Sequence, residues 1–186
     1  MQQSGTRQHG FTLNEALTTL AVLGISLSLA IPGLESLARD NARATAVNQL
    51  VATMHMARSE AITRNTPVAV CPSSNLRSCT GTTWESGWIR FIDLNRNQRI
   101  DADEQILGIA PPVPGFVIRS EAFDRAFSYE PSGRVIAADS QQRFGDFAFC
   151  TAGEEHSTQV VIVNQVGEPA LSPRLANGNK AVCEDI

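Results

Sequence analysis

The feature that most constrains this chain is a charge-free run near its N-terminus. Residues 16–34 contain no Asp, Glu, Lys or Arg. As an α-helix the run would span about 28 Å, close to the ~30 Å hydrocarbon core of a bilayer. Arg7 and His9 precede it, and no acid occurs in the first ten residues. The positive-inside rule therefore keeps the N-terminus cytoplasmic and sends the remainder across the membrane. Leu29-Ala30-Ile31-Pro32-Gly33 makes a poor signal-peptide cleavage site, and the run is longer than a signal-peptide core. The balance favours an anchor that stays over a signal that is removed.

Glu15 sits at the edge of this run. An ionisable side chain at the centre of a membrane helix costs about 2–4 kcal/mol by insertion scales, and such residues are usually functional and paired. A glutamate in the headgroup layer costs little. The residues alone leave both readings open.

Beyond the run, Val47, Leu50, Val51, Met54, Ala57, Ala61 and Ile62 recur at intervals of three and four. Arg39, Asp40, Arg43, Gln49, Glu60 and Arg64 fall largely between them, so the pattern predicts an amphipathic helix to about residue 65, with one core-facing side. Pro67 lies just past its end. From there the pattern becomes short strand-like runs bounded by Gly, Pro, Asn and Ser: 68–71, 88–92, 105–109, 116–119, 126–129, 135–138, 146–151 and 159–163. The fold class expected is α+β, one long N-terminal helix packed on antiparallel sheet.

Four cysteines allow three connectivities. Cys71 and Cys79 bracket a short Pro/Ser/Asn loop, while Cys150 ends a strand and Cys183 lies near the C-terminus. This spacing favours Cys71–Cys79 and Cys150–Cys183 over the other pairings. Disulfides suit the oxidising periplasm that the membrane orientation implies. No Cys-x-x-Cys pair is present, which argues against a metal centre.

The stretch from Gly87 to Glu104 is the richest in side-chain chemistry. Counted from Asp93, oxygen-bearing side chains stand at positions one (Asp93), three (Asn95), five (Asn97), nine (Asp101) and twelve (Glu104), which is the ligand spacing of an EF-hand calcium loop. Position six, where that loop needs glycine, is Gln98. The flanks read as strands and Arg96 and Arg99 add positive charge, so a polar turn that caps its own backbone is the favoured reading, with no metal and no cofactor.

Enzyme chemistry finds little support. His9, His55 and His156 are scattered, and neither a Gly-x-Ser-x-Gly elbow nor a phosphate-cradling glycine loop occurs. A net charge of −4 argues against a wholly basic nucleic-acid binder.

The residues Gly10-Phe11-Thr12-Leu13-Asn14-Glu15, followed by the apolar helix, resemble the prepilin signature of type IV pilins and type II secretion pseudopilins. The resemblance implies cleavage after Gly10 by a prepilin peptidase and N-methylation of Phe11. It supplies Glu15 with a partner, the N-terminal amine of a neighbouring subunit. Asn14 and Ala16 stand where the family usually has large aliphatic residues, which suits a scarce subunit better than a major one. Pro32 matches a proline that can kink these helices. Three further stretches resemble the GspH/FimT branch: Ala57–Ile62, Tyr129–Val135 and Phe147–Cys150. So does Gly87-Trp88-x-x-Phe91-x-Asp93, with its polar turn and Glu104, which that branch uses as a structural hairpin.

The resemblance divides the chain into a leader (1–10), a membrane helix (11–34) and a periplasmic pilin-like domain (35–186). It implies a single-pass inner-membrane minor pilin, its C-terminal domain periplasmic and its helix packed against other minor pilins and the major pilin, that helps prime a type IV pilus and can remain in it. A GspH-type pseudopilin of a type II secretion system is the first alternative. A FimT-like DNA receptor is the second. FimT-type proteins bind DNA through a Gly-Arg-x-Arg motif in the tail; here the matching place is Gly167-Glu168-Pro169-Ala170, without either arginine. Arg174 and Lys180 remain as candidate DNA contacts, and two charges release few counterions.

Overall fold

A computed structural model describes residues 12–138, 142–151, 155–157 and 159–183. Inside the N-terminal helix, the side chains of residues 27 and 29–36 are not among those described. The chain forms two compact units, 1–41 and 42–186.

One helix, α1 (Leu13–Arg64), begins in the first unit and ends in the second, passing Pro32 without a break. In the first unit it exposes Leu13, Leu17, Leu20, Val22, Leu23 and Ile25, each at least 56% accessible. Among the described residues, no helix is long and apolar enough to cross a membrane. Positions 27 and 29–34 of the charge-free run lie outside that statement.

In the second unit α1 buries Ala46, Val47, Leu50, Met54, Ala57 and Ala61 on one face, spaced as a 3.6-residue period requires. Val51 packs half-buried beside them. Ile62 departs from the expected core face: it is half exposed, because the face turns toward Ala61 and leaves Ile62 on the flank, its Cδ1 beside Gly133. Asn65 ends the helix at a positive φ of 53°, and Thr66 N–H returns to the Ala61 carbonyl.

Eleven strands are described. They are β1 (Val68–Pro72), β2 (Trp88–Ile92), β3 (Ile106–Ala110), β4 (Val117–Arg119), β5 (Phe127–Tyr129), β6 (Val135–Ala137), β7 (Gly145–Cys150), β8 (His156–Ser157), β9 (Val160–Val163), β10 (Pro169–Ser172) and β11 (Ala181–Val182). They pair antiparallel into a five-stranded sheet A (β3-β2-β1-β5-β6), a four-stranded sheet B (β10-β9-β7-β4) and a two-stranded β11-β8 ribbon. The short β8, β10 and β11, and a 3-10 turn at Trp84–Ser86, fall outside the strand-like runs of the sequence.

Between the helix face and the two sheets lies one apolar core: Val68 and Val70 of β1, Trp88 of β2, Phe127 and Tyr129 of β5, Phe147 and Phe149 of β7, and Val161 and Val163 of β9. Trp84 joins it edge-on to Phe147 and stacked on Phe127, with ring centroids 5.1 and 5.6 Å apart. The alternate residues of β1 and β2, Ala69, Cys71, Ile89 and Phe91, face the other way and are just as buried. Leu76, Cys79 and Ile100 cover them from two loops and form a second, smaller core on the outer face of sheet A.

Candidate functional site

Gly10 and Phe11, the expected cleavage and methylation positions, lie outside the described residues. Glu15 is exposed in the first turn of α1. Its backbone N–H donates to Thr12 Oγ1 at 3.3 Å, and Ala16 N–H to the Thr12 carbonyl at 3.1 Å. Thr12 is therefore a helix N-cap with an acid three residues on, placed where the helix dipole favours negative charge. A Thr-x-x-Glu pattern ahead of an apolar run is the sequence signal for that cap. The same glutamate thus has a local role at the helix start.

The four cysteines form two disulfides, Cys71–Cys79 and Cys150–Cys183. The first closes the 72–78 loop over the second core, so its position follows from the burial of Cys71 on the outer face of β1. The second ties the end of β7 to the chain just after β11, where Cys183 N–H also donates to the Glu155 carbonyl.

The Asp93–Glu104 stretch is a tight turn in which Asp93, Asp101 and Glu104 accept hydrogen bonds from the turn's own donors. Asp93 is fully buried; its Oδ1 accepts Asn97 N–H at 3.0 Å and its Oδ2 accepts Gln98 N–H at 3.1 Å. Burial pushes the Asp93 carboxyl above its usual value and the charge of Glu104 adds to this, while the backbone N–H groups of Gln98, Asn97 and Arg96 oppose it. Glu104 accepts Leu94 N–H at 2.8 Å and Asp101 N–H at 3.0 Å. Asn95 and Asn97 turn their amide N–H groups onto Asp101 Oδ2, both at 2.8 Å. Two non-glycine residues, Arg96 and Gln98, take positive φ values of 62° and 57°. These are positions four and six of the calcium-like count, so Gln98 adopts the turn that glycine would supply there. It is held by donating its side-chain amide to Ser128 Oγ at 3.1 Å and to the Ile136 carbonyl at 3.4 Å, across β5 and β6. Among the described residues, no group of three or more His, Cys, Asp or Glu side chains could hold a metal ion.

Arg174 and Lys180 are both exposed, before β11, on the segment that follows β10. Arg174 bonds the Gly178 carbonyl at 3.1 Å and so braces its own turn. Gly167-Glu168-Pro169-Ala170 leads from the β9–β10 turn into β10; Asn164 Oδ1 accepts the N–H groups of Val166 and Glu168 there. Gly167, at φ 78°, packs so closely on the Gly133 carbonyl that an added Cβ would lie 2.2 Å from it.

The contacts that seat α1 on the domain were not evident from the sequence. Arg58 of α1 donates to the carbonyls of Gly133 and Val166, both at 3.1 Å, and so holds two turns together. Arg90 of β2 reaches Glu60 of α1 at 3.0 Å. Near the start of this unit, Arg43 is buried, bonded to Thr151 Oγ1, and lies over the Phe116 ring. The helix pattern set Arg43 and Glu60 between the core-facing positions, and so gave no sign of these contacts.

Residues 46–167 match the family model described as GspH, type II transport protein GspH. No curated protein matches the chain. Two crystal structures of the type IV minor pilin FimU from Pseudomonas aeruginosa (strain PAO1), in different crystal forms, share its fold. One is 17% identical with a TM-score of 0.56, over 73% of this chain and 91% of that one. The other is 18% identical with a TM-score of 0.53, over 69% and 91%. A helix laid on antiparallel sheet, with a family match that runs from the buried face of α1 to the β9–β10 turn, places the chain: it belongs to the GspH/FimT family of minor pilins and pseudopilins.

Proposed function

We propose that this protein is a minor pilin that helps prime a type IV pilus at the inner membrane. The observation that carries the reading is the family match over residues 46–167 on a fold shared with a type IV minor pilin. The charge-free run behind Gly10-Phe11-Thr12-Leu13-Asn14-Glu15 supports insertion with the folded domain in the periplasm, cleavage after Gly10 by a prepilin peptidase and methylation of Phe11. Exposed apolar side chains along the first part of α1 suit burial in lipid or among the helices of neighbouring subunits. Glu15 then pairs with the N-terminal amine of the adjacent subunit and fixes its register, since a carboxylate entering an apolar bundle needs a positive partner. The protein works by binding, with no catalytic step.

A second reading is a pseudopilin of a type II secretion system, favoured by the description of the matching family. A DNA-receptor role is less well supported, because Glu168 and Ala170 stand where FimT-type proteins carry arginine and Arg174 is engaged with its own turn.

The test is a deletion strain complemented with wild type, Gly10→Trp and Glu15→Ala. The expected result is unprocessed Gly10→Trp protein, processed Glu15→Ala protein, and loss of surface pili with both. Normal piliation with secretion lost would move the protein to the secretion system. Full processing of Gly10→Trp would remove the prepilin reading.

A further inference from the structure

A cavity of about 620 Å³ opens on the outer side of sheet A, between the 78–81 loop, the 97–101 turn and residues Arg125, Ala126 and Ala138. That volume lies in the range of small-molecule sites. Its walls are held from both sides, by the Cys71–Cys79 disulfide and by Gln98 anchored across β5 and β6.

The polar groups on its rim are mismatched in a specific way. Arg99 and Asp101 both line the cavity, two residues apart, yet they do not pair. Among the described residues the Arg99 guanidinium has no hydrogen-bond partner, and Asp101 accepts through Oδ2 alone. Asp93 and Glu104 of the same turn have both oxygens occupied by backbone N–H groups. The cavity thus presents a free fork of donors and a free acceptor together, with Ala126 and Ala138 adding apolar surface.

We propose that this cavity binds a neutral polyhydroxylated ligand, a sugar unit. Each hydroxyl of such a ligand both donates and accepts, which answers Arg99 and Asp101 at once. Its C–H surface suits the alanines. Arg99 and Arg125 on the rim oppose a strong cation, and Asp101 opposes a strong anion. A free sugar and the end of a glycan chain share this chemistry. The site is independent of the pilus reading and can fail separately from it.

The test titrates the full chain in detergent with cellobiose, dextran and inorganic phosphate, following amide shifts by NMR. Saturable shifts at residues 78–81 and 97–101 with cellobiose mark a free sugar as ligand; shifts with dextran alone mark a glycan chain. Arg99→Ala should weaken either about tenfold at unchanged melting temperature, the loss of one charge-assisted hydrogen bond. Arg64→Ala, remote in sequence on α1, should leave the affinity unchanged. Absence of saturable shifts with both sugars, tighter binding of phosphate than of either, or an undiminished affinity in Arg99→Ala would overturn the proposal.

Discussion

Trp88 Nε1 donates to Thr53 Oγ1 across 3.0 Å, joining β2 to α1 inside an otherwise apolar seam. Both residues are buried. Thr53 can accept there because its own hydroxyl proton goes back to the Gln49 carbonyl at 2.9 Å. Replacing Thr53 by Val keeps the shape and strands the indole N–H, at a cost of about 1–3 kcal/mol. Thr53→Ser keeps the acceptor and should recover most of that loss. Urea denaturation of the two variants measures it, and a Thr53→Val protein as stable as wild type would show that the bond contributes nothing.

The two disulfides should differ in worth. Their sequence separations are 8 and 33 residues. In the chain-entropy account a longer closed loop restrains the unfolded chain more, and this ratio of lengths is worth about 1 kcal/mol. Replacing Cys150 and Cys183 by Ser should therefore lower stability by about 1 kcal/mol more than replacing Cys71 and Cys79. Denaturation midpoints of the two double variants under oxidising conditions decide this; the reverse order would mean that the Cys71–Cys79 loop stabilises chiefly through the second core it covers.

Asp93 should make stability depend on pH in the direction opposite to that of a paired carboxylate. Burial raises its folded-state pKa above the ordinary 3.8. Between 3.8 and that raised value the folded chain binds more protons than the unfolded one, so this residue's contribution falls as pH rises through the window. Asn at position 93 does not titrate, and Asp93→Asn should lack this component. The measurement is melting temperature against pH for both proteins, and parallel curves would refute the assignment.

Calcium should leave the turn unaffected. Asp93, Asp101 and Glu104, the acids of the calcium-like count, each already receive two hydrogen bonds from within the turn. The melting temperature is expected to be the same in calcium and in chelator, with Asp93→Ala destabilising equally in both. A calcium-dependent rise that Asp93→Ala abolishes would instead establish a metal loop, in which the positive φ of Arg96 and Gln98 would serve ligand geometry.

Much of the architecture was legible in local pattern. The three-and-four spacing from Val47 to Ala61 marked the buried face of α1, and strand-like runs bounded by turn residues marked β1, β2 and β7. The exposure of Ile62 was not legible, because a face only a few residues wide cannot assign its own flank. Nor were β8, β10 and β11, two- and four-residue strands without a period to read. The positive φ of Gln98, at the place where a calcium loop carries glycine, was not legible either. Its positive φ accompanies side-chain bonds to Ser128 and Ile136, residues distant in sequence.

By itself the sequence determined what depends on neighbours along the chain: an apolar helix with one acid at its edge, an amphipathic continuation, a strand-rich remainder, and cysteines whose spacing favoured one pairing. Only the tertiary structure decided which polar groups meet. Arg58 on two turn carbonyls, Arg90 on Glu60 and Trp88 on Thr53 join residues 30 or more positions apart. Contacts at that separation follow from how a sheet folds over a helix face, and no local spacing encodes them.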